Sequence, residues 1–152
     1  MSPLPTDTPI KEVIQAAFDT SLPISGGWGY SQDDATILEA NPDNAPLTQL
    51  EHMLASMRAY LEMNLTVEES ERYGSINLNE KSRKRHQRNG KILDEVIYTL
   101  TAMKESDYAM FIEEYKEGYG KETFDMQAHF ARRKEATLTQ ELTYWFDVTQ
   151  VS

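Results

Sequence analysis

Cysteine is absent from this chain. That removes disulfides, thiolate zinc sites, iron–sulfur clusters and cysteine nucleophiles in one step, and sets the expectation of a cytoplasmic protein. Histidine is scarce, with only His52, His86 and His129, none of them at a recognised ligand spacing. Each reads as a surface or boundary residue: His52 on the polar shoulder of a helix, His129 between Ala128 and Phe130. Long apolar runs are missing too. Nothing approaches the roughly 20 residues a membrane-spanning helix needs, and MSPLPTDTPIKEV lacks the basic-then-apolar layout of a secretory signal, so no membrane association is expected. Ser25 and Ser31 lie outside any G-x-S-x-G elbow, so serine hydrolysis finds no motif. No spacing asks for a cofactor or a metal, and none is expected.

Positive charge is also short. With 15 Lys and Arg against 25 Asp and Glu the net charge is −10, a balance that repels nucleic acid and attracts basic partners. The deficit is uneven. Lys81, Arg83, Lys84, Arg85, Arg88 and Lys91 carry six positive charges with no acid between them, which leaves −16 on the remainder.

Glycine is sparse as well, seven in 152 residues, yet three of them fall within four positions. Leu22 to Ala40 reads LPISGGWGYSQDDATILEA, with Gly26, Gly27 and Gly29 around Trp28 and Tyr30, and Asp33-Asp34 just after. Glycines interleaved with aromatics suit a bent strand whose side chains are needed on one face. Ser31 to Asp34 reads as a turn, and Ala35 to Glu39 as the returning strand of a hairpin that begins at Ile24. The simplest role for the glycines is to make room for a core Trp28. A phosphate cradle is weakly indicated, because Gln32 stands where a third glycine would be and no Lys-Ser/Thr pair follows. Asp33, Asp34 and Glu39 lack the EF-hand spacing, so these acids read as solvated.

The rest of the chain alternates helix and strand signals without a βαβ rhythm. Residues 1 to 8 read as a loose tail. Thr8 is placed to cap a helix that Pro9 opens, with Ile10, Val13, Ile14, Ala17 and Phe18 on one face. Pro46 opens a longer helix striped by Leu47, Leu50, Leu54, Met57 and Leu61, with Glu51, Arg58 and Glu62 assigned to its wet face. Asn89-Gly90 is a strong type I′ turn signal, pairing a strand over residues 75–87 with another over 91–102. Ile92, Leu93, Val96, Ile97 and Leu100 would serve a helix equally well as a pattern, but β-branched and aromatic enrichment favours the strand. Ser106 is placed to cap a helix burying Tyr108, Phe111, Ile112 and Tyr115, stopped at Gly118. A further helix over residues 122–135 is expected to bury Phe124, Ala128 and Ala131. Leu142, Tyr144, Phe146 and Val148 alternate with polar positions as in a strand. Length and pattern together predict one domain over residues 1–152. Its predicted class is α+β, an antiparallel sheet of four or five strands packed against about four helices.

Three function classes follow. The first is a small acidic interaction protein, of the immunity or inhibitor kind, that covers a basic partner or a second copy of itself. The second is a nucleic-acid or nucleotide binder using Arg83, Lys84, Arg85 and Arg88, or the Gly26–Gly29 loop. A basic hairpin can grip phosphates, but the acidic remainder opposes it and no aromatics interleave for base stacking. The third is an enzyme with a site near Trp28, Tyr30, Asp33 and Asp34. The first is the expectation, on a picture in which cations point from both faces of the hairpin and its tip projects into water.

Overall fold

The computed structural model describes residues 7–64 and 68–152. Six of the eight residues of the expected tail, and Thr66, lie outside that range.

Apolar residues at helical spacing form α1 (Ile10–Phe18), which ends on Asp19 in the left-handed conformation. The cap position is Pro9 rather than Thr8, with no side-chain cap bond. Thr8 is used otherwise: its carbonyl accepts from the Trp28 indole N–H at 3.0 Å. The glycine-rich stretch is a hairpin as predicted, with β1 (Ile24–Gly26) and β2 (Thr36–Leu38) antiparallel across a 3₁₀ turn at Gln32–Asp34. Then come α2 (Leu47–Asn64), β3 (Tyr73–Arg88), β4 (Lys91–Lys104), α3 (Glu105–Gly118), α4 (Met126–Ala136) and β5 (Leu138–Asp147). Five strands and four helices make the predicted α+β fold.

The strands lie in the order β1-β2-β5-β4-β3. All neighbours are antiparallel except β2 and β5, which run parallel through Thr36–Phe146 and Ile37–Asp147. Asn89 and Gly90 take φ of 54° and 78°, the positive values a two-residue type I′ turn requires, which decides residues 91–102 in favour of strand. Val96, Tyr98 and Leu100 on β4 and Tyr144 and Phe146 on β5 face α1 and α2 in one core, with Trp28 buried among them.

Two helical assignments change. The leucine stripe of α2 is only one flank of its buried face. The middle of that face is Glu51, Ala55, Arg58 and Glu62, which recur every three or four residues and so lie in line. Glu51 and Arg58 are 0% and 1% exposed, the reverse of the wet face assigned to them. In the α3–α4 pair, α3 starts at Glu105 with Lys104 as its cap and no side-chain cap bond, so Ser106 is inside the helix. Phe111 is buried, whereas Tyr108 is exposed. On α4 the expected Ala128 and Ala131 face solvent, and the buried residue is His129. Phe111, Tyr115, Phe124 and Phe130 surround its ring at centroid distances of 5.2–5.8 Å. Glu114 Oε1 lies 3.2 Å from its Nδ1.

Candidate functional site

The glycines of the first hairpin allow close approach. A Cβ on Gly29, whose φ is +81°, would meet the Tyr144 ring at 2.2 Å. One on Gly27 would meet the Asp34 carboxylate at 1.8 Å, so Asp34 lies over the hairpin's own backbone. Trp28 is in the core, as the simplest role of the glycines requires. Its carbonyl accepts from Arg58 Nη1 at 3.0 Å, and the Thr143 carbonyl from Nη2 at 2.8 Å. The Arg58 guanidinium is sandwiched between the rings of Tyr30 and Tyr144, at 4.3 and 4.1 Å from their centroids, and Nε is 3.0 Å from Glu62 Oε1. Tyr144 completes the lock: the Thr36 hydroxyl donates to the Gly27 carbonyl and accepts from the Tyr144 hydroxyl at 2.7 Å. Burial pushes the Tyr144 phenol up to about 12. Of the residues first assigned to a site here, Trp28 and Tyr30 are thus occupied in holding the hairpin to α2 and β5, and Asp34 closes the hairpin on itself, its carbonyl accepting from the Gly29 amide at 2.7 Å. Asp33 stands apart from them.

The basic run divides by partner. Arg85 makes a two-pronged contact with Asp94, its cross-strand neighbour, through Nε at 2.8 Å and Nη2 at 3.1 Å. Arg83 grips Glu80 and reaches Glu51 Oε1 at 3.1 Å, and Lys81 pairs with Glu141. Burial would raise the Asp94 carboxyl, but hydrogen bonds from Arg85 and Glu51 and the charges of Arg85 and Arg83 together outweigh it and hold Asp94 below its ordinary value. Glu51 behaves oppositely. Burial first, then the adjacent Asp94, push its carboxyl up to about 8, and its Oε2 meets no donor. At neutral pH Glu51 therefore keeps its proton and can share it with Asp94. Instead of a projecting finger, the hairpin is a continuation of the sheet: β4 pairs with β5 from Leu93 to Ala102, and the Ile92 carbonyl accepts from Val148 N. Of the hairpin's paired cations only Arg83 is met by a carboxylate from α2, while Arg85 and Lys81 find theirs on β4 and β5.

Among the described residues Lys84, Arg88 and Lys91 have no acidic partner within 4.0 Å. Arg88 and Lys91 flank the turn opposite one another and overhang a cleft of about 350 Å³, whose other wall is Gly26, Gly27, Gln32 and Asp33. Its floor is Ile37, Asp147 and Leu93, three residues in register across β2, β5 and β4. Asp147 Oδ1 accepts from the Thr149 amide at 3.0 Å and hydroxyl at 2.6 Å. Asp33 and Arg88, named from the sequence, thus meet here, while Arg83, Lys84 and Arg85 are elsewhere. Lys91 and Asp147 were missed as site residues. The Asn89-Gly90 turn already implied that Lys91 faces Arg88, but nothing in the sequence placed β2 beside β5.

A second surface has another character. Eight large hydrophobic residues are exposed among the described residues, and five of them, Tyr108, Met110, Tyr119, Met126 and Phe130, belong to α3, α4 and their connection. Tyr119 is 67% exposed, Met110 52% and Phe130 47%. Tyr119 and Phe130 both stack near Tyr115, at 5.5 and 6.5 Å. Residues 105–125 also carry Glu105, Asp107, Glu113, Glu114, Glu117, Glu122 and Asp125 against only Lys116 and Lys121.

Among the described residues no group of three or more His, Asp or Glu is placed to hold a metal ion, and no helix is long and apolar enough to cross a membrane. Comparison with protein-family models, with curated proteins and with solved structures found no match to this chain.

Proposed function

We propose that this protein is an interaction module that binds a basic protein partner, in the manner of immunity or inhibitor proteins, and that the contact surface is α3–α4. The observation that carries this reading is the gathering of most of the exposed aromatic and methionine side chains on one helical pair. A soluble monomer rarely leaves such residues together unless they are covered in use, and Tyr, Phe and Met are the types enriched at protein interfaces. The carboxylates of residues 105–125 supply the complement to a basic partner, speeding encounter and fixing orientation, while the apolar side chains supply the area.

The nucleic-acid reading is the poorer one. Lys81, Arg83 and Arg85 are neutralised by the protein's own carboxylates, and contact with phosphate would first have to break those pairs.

The test is affinity capture with the wild-type chain and with a Met110→Ala, Tyr119→Ala, Met126→Ala variant, whose side chains are exposed and lie outside the ring of aromatics around His129, and whose fold is checked by circular dichroism. The expected result is a basic protein that is held by the wild type, released at high salt, and bound more than about tenfold more weakly by the variant. Equal binding by both would remove α3–α4 as the contact surface.

A further inference from the structure

The cleft between the two hairpins goes beyond that reading and does not depend on it. In a chain of net charge −10 a free cation has many carboxylates to choose from. Arg88 and Lys91 nevertheless stay unpaired on one wall, and Asp33 faces the space from the other. Asp147 lies in the floor, only 7% exposed, with Oδ1 fixed by Thr149. Charges of both signs that could quench one another are instead held apart, Arg88 by its bond to the Gln32 side chain at 3.3 Å and Asp147 by its turn. The ground between them is aliphatic, from Ala35, Ile37 and Leu93.

We infer that this cleft binds a small aliphatic zwitterion of the amino-acid class, its carboxylate taken by Arg88 and Lys91, its ammonium by Asp147 and Asp33, and its side chain laid on Ile37 and Leu93. A simple anion would meet two carboxylates and a simple cation two bases, so either alone is opposed. Only a ligand with both charges satisfies both walls, and a guanidinium and an ammonium side by side suit a carboxylate. A volume of about 350 Å³ accommodates an amino acid or a dipeptide.

The experiment is a titration of the full ¹⁵N-labelled chain with pools of the proteinogenic L-amino acids, followed by the best binder alone, its ethyl ester, its N-acetyl derivative and inorganic phosphate. The amides of Gly26, Gly27, Gln32, Lys91 and Leu93 should shift with the amino acid. The ester, which lacks the carboxylate, and the N-acetyl form, which lacks the ammonium, should each bind at least about tenfold more weakly. Asp147→Asn, which keeps an acceptor for Thr149, and Arg88→Gln should each weaken the amino acid by about tenfold while leaving the spectrum otherwise folded. No shift with any pool overturns the inference. So does an N-acetyl derivative or phosphate that binds as well as the amino acid, which would make this an anion site, or an ester that does so, which would make it a cation site.

Discussion

Glu51 is a carboxylic acid placed where a leucine would be easier to bury. Its neighbours decide its ionisation: Arg83 favours the charged form, but burial and the Asp94 carboxylate outweigh it and raise Glu51 from 4.5 to about 8. The consequence for stability has a definite sign. Below pH 4.5 Glu51 is protonated in both the folded and unfolded chain and costs nothing. As pH rises the unfolded chain releases that proton while the fold retains it, so stability falls until the folded group ionises near pH 8. Glu51→Gln keeps the shape without the proton. Relative to wild type it should gain about 1–3 kcal/mol between pH 5 and pH 9 in urea unfolding, and a difference independent of pH would show that Glu51 is ionised in the fold.

Arg58 poses the opposite problem, a permanent cation buried without a buried countercharge of equal depth. It is tolerated because two aromatic faces and two carbonyl oxygens receive it. Arg58→Leu should cost about 3–5 kcal/mol, since the Trp28 and Thr143 carbonyls and Glu62 are left without it. Arg58→Lys should recover less than half of that, because an ammonium neither stacks between two rings nor reaches both carbonyls. Near-complete recovery in a denaturation midpoint would mean that charge alone is what the site needs.

At the scale of elements the basic run gains a structural reason. β3 is a 16-residue strand at the edge of the sheet, and an exposed edge invites pairing with another chain. Side chains from α2 cover its first part: Asn64 bonds both the amide and the carbonyl of Tyr73, and His52 contacts the Leu78 carbonyl at 2.9 Å. From Glu80 onward the edge is guarded by Lys and Arg instead, and by an irregularity between Glu80 and Ser82. Lys81→Val with Lys84→Val should therefore raise self-association in light scattering relative to the wild type. Scattering equal to that of the wild type at the same concentration would assign those charges another role.

The same elements show what was legible in the sequence. Asn89-Gly90 revealed the hairpin and its register next to the turn because a type I′ turn depends on two adjacent residues, whereas the two register shifts farther along β3 carry no such local signal. The period of two in β5 and the glycine hairpin were equally local signals. The buried face of α2 was not legible, because Glu51 and Arg58 are buried only through partners on β3, β4, β5 and the first hairpin, far away along the chain. His129 escaped for the same reason. Its aromatic enclosure is built from two helices and the connection between them, and Gly118, which ends α3 as expected, also leaves room for the Phe124 ring, which a Cβ there would meet at 2.2 Å. Of the cleft, Asp33 and Arg88 were legible as polar turn residues, while the floor waited on the parallel pairing of β2 with β5.

Across the whole molecule charge is used in two ways. On the β3–β4 hairpin, opposite charges close on one another and fasten an edge to the body. On α3 and its connection to α4, carboxylates outnumber bases beside exposed aromatic and methionine side chains, and among the described residues only Glu114 of those carboxylates finds a cationic partner, on α4. That division is the centre of the account, and a footprint tests it most directly. Hydrogen–deuterium exchange should be measured on the full chain alone and saturated with the purified partner. The account predicts slowed exchange over residues 105–136 and unchanged exchange over residues 81–91. Protection of the hairpin with α3–α4 unaffected would contradict it.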